Sequence, residues 1–278
     1  MDLLDGTTVS NHHGSWAQLQ PINEVYVDAA FPLDSQGNLY REGRWEYRPS
    51  ADYQNADWSK PSNVSADDYS DIHALMDVLV NGTGGGDYLT RLEAVADVDQ
   101  WLLWFATMTI LANSETNLTT GREDDFAAYV GVNDPRLKLL PHDLDAIITG
   151  SSANPATHTL FDMVKNGDAV AALVPLFAIA DVRTRYHHAL RHLLGTTFSK
   201  ASFNALTDNE FANWLPAADR QAIISWMDTR RAFVTGEVNT ALGAPPVAAP
   251  LRLTDHLIRQ SSALSASMKC SHPIGRSL

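Results

Sequence analysis

The stretch VDQWLLWFATMTILAN, residues 98–113, is apolar on nearly every side of a 3.6-residue turn. Such a helix has no solvated face, so other elements must wrap it and the chain must build more than one layer around it. Asp97 or Asp99 can cap its start. The text then turns polar in NSETNLTTGREDD (113–125) and apolar again in two short runs, FAAYV (126–130) and LKLLP (137–141). The Asn-Asp-Pro of the connecting GVNDPR favours a tight turn, so the two runs are expected to pair as a hairpin.

Other segments sort around this centre. Residues 1–66 are rich in Gly, Pro, Asp, Asn and aromatics, with apolar or aromatic-charged patches in EVYVDAAF and LYREGRWEYRP, and are expected to form an irregular cap of loops and a few short strands. SADDYSDIHALMDVLVNG switches to helical spacing, with Ile72, Leu75, Met76 and Leu79 on one face and Gly82 as the stop. The glycines of GTGGG (82–86) read as a flexible break, because no strand precedes them and no Lys-Ser/Thr follows to make a phosphate loop. Beyond Gly150 the pattern is helical: LFDMVKN, DAVAALVPLFAIA, DVRTRYHHALRHLLG with Asp181 as cap and Gly195 as stop, and AADRQAIISWMDTRRAFVTGEV. PPVAAP (245–250) reads as a stiff linker into a mobile tail. The expected fold class is therefore α+β: a mainly helical lobe over 67–244 containing the hairpin 126–141, an irregular cap over 1–66, and a linker and tail over 245–278.

Composition narrows the partners. Asp and Glu number 33 against 20 Lys and Arg, a net charge of −13, and no basic cluster is long enough to neutralise a run of phosphates, so no nucleic-acid partner is expected. The single Cys270 permits neither an intramolecular disulfide nor a cysteine-based zinc site. MDLLDGTTVSNHHG does not read as a secretory signal, and no apolar run is long enough to span a membrane. His188 and His192 have the i, i+4 spacing of a helical zinc pair but no accompanying His-Glu frame, so with His187 they read as helix-surface histidines.

The chemistry is expected in two polar clusters. Asp143 and Asp145 of HDLD point to one face if the chain remains extended. Two carboxylates so placed repel unless they share a cation, and oxygen-only donors suit Mg²⁺ or Mn²⁺, Mg²⁺ generally arriving with phosphate oxygens. The same spacing also fits a pair of turn or helix-cap aspartates. Asn113, Glu115, Asn117, Asp124 and Asp125 form the second cluster, held between a buried helix and a buried hairpin, an expensive arrangement for mere linkage. This order makes sense in a phosphotransferase: an acid to orient or deprotonate the attacking hydroxyl, an amide near a metal, and a carboxylate beyond a hairpin for the main metal.

From DVDQWLLWFATMTILANSETN through DDFAAYVGVNDPRLKLLPHDLDAIITG the chain resembles the central segment of the CotH (spore-coat protein H) kinase family, in which a helix, an Asn-x-acid loop, a hairpin ending in Tyr, and a Pro-x-Asp-x-Asp strand follow one another. The resemblance covers roughly residues 20–240 and is motif-grade over 113–145. It implies a kinase-like C-terminal lobe, Mg²⁺ or Mn²⁺ with ATP as co-substrate, a protein hydroxyl as acceptor, and an extracytoplasmic location. It further implies that Asp143 or Asp145 binds the nucleotide's metal, that Glu115 takes the place of the catalytic-loop acid, and that Asn117 is an auxiliary metal ligand or a substrate-positioning amide. Asp124 and Asp125 would be metal ligands or supports for them. Glu115 stands where the family more often has Asp, and His142 where it more often has an aromatic. His142 could hydrogen-bond within the site, stack, or cap a turn. The family's strand-rich upper lobe should precede this segment, and residues 1–66 are too short to hold it, so the sequence reads as a catalytic half. Two alternatives stay open: an inactive surface or scaffold protein of this fold that binds a divalent ion or a partner, and the same fold performing nucleotidyl transfer or ATP-driven ligation.

Overall fold

The computed structural model describes residues 21–50, 52–54, 58–113, 125–148, 155–161, 171–213 and 215–244. Every element named here belongs to the unit Met1–Gly243. The first, helix α1 (Glu24–Ala30), replaces the strand or loop expected of EVYVDAAF. Its cause is local: the Asn23 side chain accepts the Tyr26 N–H at 3.3 Å, and a single residue, Val27, is buried. Strand β1 (Asn38–Arg41) follows. Helix α2 (Ser70–Met76) buries Ile72, Leu75 and Met76, and a π-helical turn, Asp77–Asn81, carries the same face on to Leu79. Asp71 ties α2 to β1 by accepting from Asn38 Nδ2 at 2.9 Å and Tyr40 Oη at 2.7 Å.

Helix α3 (Tyr88–Val95) leads into α4 (Val98–Leu111), the all-round apolar segment, where Asp97 is the cap and accepts the Gln100 N–H at 3.4 Å. The hairpin strands are β2 (Phe126–Val130) and β3 (Lys138–Pro141). Among the described residues, helices α5 (Val174–Ala178), α6 (Ala180–Gly195), α7 (Lys200–Phe211) and α8 (Ala217–Leu242) complete the lobe. Asp181 is not the cap of α6; Ile179 holds that position, and the Asp181 carboxylate lies 3.7 Å from Arg185 Nη1 one turn on. In DAVAALVPLFAIA the described helix is only α5, with Pro175 in its first turn where no N–H is needed. LFDMVKN falls mostly on 162–170, outside the described residues. Helix α7, capped by Ser199 through the Ser202 N–H at 3.2 Å, divides the region between α6 and α8.

The sheet has the order β1-β2-β3, antiparallel throughout, with Arg41 opposite Ala127 and Phe126 opposite Pro141. Its two faces follow the period-2 rule. Tyr40, Phe126, Ala128, Val130 and Leu139 join the main core with α2, α4 and α6, whereas Leu39, Ala127, Tyr129 and Leu140 pack with Ile22 and Val27 under α1. Both faces of β2 are thus covered, which is why FAAYV is uninterruptedly apolar.

The outer edge of β3 is covered by α4. Gln100 pairs with Leu139 like a strand residue, Nε2 donating to the Leu139 carbonyl at 2.7 Å and Oε1 accepting its N–H at 2.9 Å. Trp101 Nε1 donates to the Leu137 carbonyl at 2.8 Å. At the opposite end of the hairpin, Asp34 accepts backbone N–H groups from Val132 (2.8 Å), Asn133 (2.9 Å) and Asp134 (3.1 Å). A Cβ on Gly131 would lie 1.9 Å from the Asp34 carboxylate, so this docking requires glycine.

Candidate active site at one end of the sheet

The antiparallel register gathers three chain segments at one end of the sheet: Glu42 just after β1, Asp125 just before β2, and His142 to Asp145 just after β3. The Glu42 N–H donates to the Phe126 carbonyl at 3.1 Å and so closes the β1–β2 ladder. Helix α4 ends at the same place. Asn113, fully buried, donates from Nδ2 to Oδ2 of buried Asp125 at 2.9 Å, and the Ile148 N–H donates to the Leu111 carbonyl at 2.8 Å. One helix end therefore holds the entry to β2 and the far side of the HDLD turn.

That helix end is itself well anchored. The Asn113 N–H bonds the Met108 carbonyl at 3.0 Å, and Nη2 of Arg230, reaching in from α8, bonds the Thr109 carbonyl at 2.6 Å. A cation at a helix C-terminus also opposes the negative end of its dipole. Tyr186 of α6 donates to Thr109 Oγ1 at 2.8 Å, and burial raises its phenol pKa well above the ordinary value.

Backbone strain collects here. Six described residues other than glycine have positive φ; Glu42 (41°), Ala112 (48°), Asp125 (58°), Asp143 (47°) and Ile148 (61°) all belong to this end, and only Asn63 lies elsewhere. Left-handed conformations cost about 1–2 kcal/mol for most L-residues and persist where surrounding contacts over-determine them, as they do at functional sites.

The CotH kinase protein family model matches residues 4–222, from before α1 into α8. The chain belongs to the CotH kinase family. Its function is accordingly kinase-like. No curated protein matches the chain.

In this CotH family member the aspartate pair is set differently from the extended-strand expectation. Strand β3 stops at Pro141, Asp143 is left-handed, and Leu144 and Asp145 lie in a turn. Exposure still alternates: Asp143 and Asp145 face solvent, while Leu144 packs on the main core. Nδ1 of His142 lies 3.1 Å from Oε1 of Glu42, an ion-pair separation when the ring is protonated, though without the alignment of a hydrogen bond. Asp125 is buried against Asn113 rather than presented to solvent. Glu115, Asn117 and Asp124 lie outside the described residues.

Among the described residues no three His, Cys, Asp or Glu side chains form a metal-ligand group. Asp143 and Asp145 nonetheless offer exposed, hard oxygen donors, the chemistry that Mg²⁺ or Mn²⁺ accepts when phosphate oxygens and water complete the shell. A cleft of about 500 Å³ beside β1, lined by Trp58, Lys60 and Tyr69, includes none of the sheet-end residues. His187 is half-buried and touches the Phe161 ring at 5.5 Å, and desolvation lowers its pKa. No helix among the described residues is long and apolar enough to cross a membrane.

Two residues of this end escaped the sequence reading. Glu42 sits in LYREGRWEY, where a charged residue before a glycine at a strand exit is an ordinary turn signal. Arg230 belongs to an amphipathic helix, where arginine is normally solvated, yet it is fully buried.

Proposed function

We propose that this CotH family member is a protein kinase using ATP with Mg²⁺ or Mn²⁺. The observation that carries the reading is the pair of exposed carboxylates, Asp143 and Asp145, on a left-handed turn held between β3 and the C-terminus of α4. A divalent ion bound there would neutralise charge on the phosphates of the nucleotide. Asp143 and Asp145 hold and orient that ion; Asn117 assists them or positions the acceptor. Glu115 orients the acceptor hydroxyl and takes its proton as the new O–P bond forms to the γ-phosphorus. The bond from that phosphorus to the β–γ bridging oxygen breaks, and ADP leaves with the electron pair. Asp125, paired with Asn113, ties the start of β2 to the end of α4, and Asp124 either supports the ion or binds it.

The acceptor is a protein hydroxyl, and the test is transfer of labelled γ-phosphate to protein with Mg²⁺ or Mn²⁺ present. Asp143→Ala and Asp145→Ala are each expected to lower transfer about 100-fold or more, the scale of losing one preorganised charge-stabilising group. Transfer that survives both changes refutes the reading. Mass analysis of the modified protein separates phosphoryl from adenylyl addition, so nucleotidyl transfer would be recognised by its product.

A further inference from the structure

We propose that Glu42 is a positioning residue of this site, acting through His142 on Asp143; the inference rests on Asp143 being a metal carboxylate. Glu42 belongs to a tightly specified piece of chain. Its N–H bonds the Phe126 carbonyl at 3.1 Å, and the preceding residue, Arg41, exchanges backbone hydrogen bonds with Ser59 at 2.8 and 3.2 Å. The following residue, Gly43, lies so close to the Trp58 indole that a Cβ would meet it at 2.3 Å, and Trp58 Nε1 donates to the Arg44 carbonyl at 3.0 Å. The carboxylate is thus launched from a fixed, left-handed backbone.

Its direction matters. Strands β1 and β3 are not neighbours, and with β2 between them they are roughly 10 Å apart. Strand β2 begins at Phe126, and Asp125 turns out of the ladder with its own positive φ, so among the described residues β2 adds no further rung at this end of the sheet. Glu42 reaches from the β1 side to the β3 side, Oε1 lying 3.1 Å from His142 Nδ1. His142 is the only residue between the end of β3 and Asp143, so restraining its ring restrains the peptide that enters the left-handed Asp143. Partners of this kind, one step removed from a ligand, orient it and commonly matter about 10- to 100-fold in metal affinity.

Mn²⁺ binding to the full chain, followed by electron paramagnetic resonance without nucleotide, tests the relay without relying on activity. Asp143→Ala fixes the signal of a lost site. Glu42→Ala is expected to weaken Mn²⁺ binding about tenfold or more, and Glu42→Gln, which keeps an oxygen beside the His142 ring but not the charge, by less. His142→Phe keeps ring volume but removes the contact; in that background Glu42→Ala should have no further effect, since the two residues act as one unit. Should Glu42→Ala fail to fold, Glu42→Asp carries the test, because its shorter arm withdraws the carboxylate from His142 and should weaken binding. Unchanged affinity in a folded Glu42→Ala or Glu42→Asp protein overturns the proposal. So does an undiminished Glu42 effect in the His142→Phe background, which would make Glu42 act by another route. If the wild-type chain binds no Mn²⁺, or Asp143→Ala binds it normally, the metal reading of Asp143 fails and the relay falls with it.

Discussion

Replacing Arg230 by methionine should loosen the end of α4 that supports the candidate site. The guanidinium is fully buried; Nη1 donates to the carbonyls of Ala156 (3.2 Å) and His158, Nη2 to that of Thr109 at 2.6 Å, and the group lies 5.7 Å from the Phe233 ring centre. Methionine fills much of the same stem volume but donates nothing. Hydrogen bonds to a charged group contribute about 1.5–3 kcal/mol each, and the cation at a helix C-terminus adds up to about 2 kcal/mol. Against this, removing a buried charge recovers several kcal/mol of desolvation. The Thr109 carbonyl keeps a second donor, the Ala112 N–H at 3.1 Å, so the loss is shared between the end of α4 and the 155–161 segment.

The balance is a destabilisation of about 3 kcal/mol, with Arg230→Lys in between because one ammonium cannot reach both sides. For a unit of this size about 3 kcal/mol corresponds to a Tm lower by roughly 6–12 °C. Denaturant unfolding followed by tryptophan fluorescence measures the global term. Hydrogen exchange at the Ala112 and Asn113 amides measures the local one, and both amides should lose protection before the sheet does. A variant within about 1 kcal/mol of wild type, or a destabilised variant with unaltered protection at those amides, would refute the anchoring role.

Asn113→Ala and Asp125→Ala should be non-additive, with a coupling of about 1–3 kcal/mol in a double-mutant cycle of unfolding free energies, because the 2.9 Å contact between them is buried on both sides. Asp134 is held well below the usual carboxylate range, first by the Arg136 side chain and then by Lys138. Its stabilising effect is therefore full above its ordinary value of 3.8 and is lost as pH falls through the lower folded value, so Asp134→Asn should be less stable than wild type at pH 7 and converge with it in acid melts. Asp143→Gly should be more stable than Asp143→Ala by about 0.5–1 kcal/mol, the difference between about 1–2 kcal/mol of left-handed strain and about 0.4–1 kcal/mol of added unfolded-state entropy. An Asp143→Ala protein more stable than Asp143→Gly in thermal melts by about 0.4–1 kcal/mol, the entropy term alone, would show that φ of 47° carries no strain there.

The parts that could be read from sequence are those governed by short-range periodicity. All-round apolarity marked α4, and two apolar runs about an Asn-Asp-Pro turn marked the hairpin. Helix α1 was missed because Val25 and Val27 alternate like a strand, and the one contrary sign, Asn23 as cap, is a single residue. The uninterrupted burial of β2 depends on α1 covering its second face, a non-local fact. At the site, acidic spacing disclosed Asp143 and Asp145, but the strand end at Pro141 and the left-handed turn are settled by contacts to the Leu111 carbonyl and the core. Glu42 and Arg230 come from the two ends of the unit, and only folding brings them to α4 and β3.

The five left-handed residues at this end explain how charged side chains are held still outside regular structure. Glycine would make each turn without steric cost but would carry no side chain and would restrict the chain less. Here the turns at Glu42, Asp125 and Asp143 bear carboxylates, and neighbouring backbone bonds fix their frame: Glu42 to Phe126, Asn113 to Met108, Ile148 to Leu111. Each of those bonds ends on a strand or helix buried in the core, so the strain is balanced by packing that does not itself enter the chemistry. In the proposed kinase, carboxylates carried on such turns would need little reorganisation to meet an ion and phosphates, the condition under which fixed charge contributes most to phosphoryl transfer.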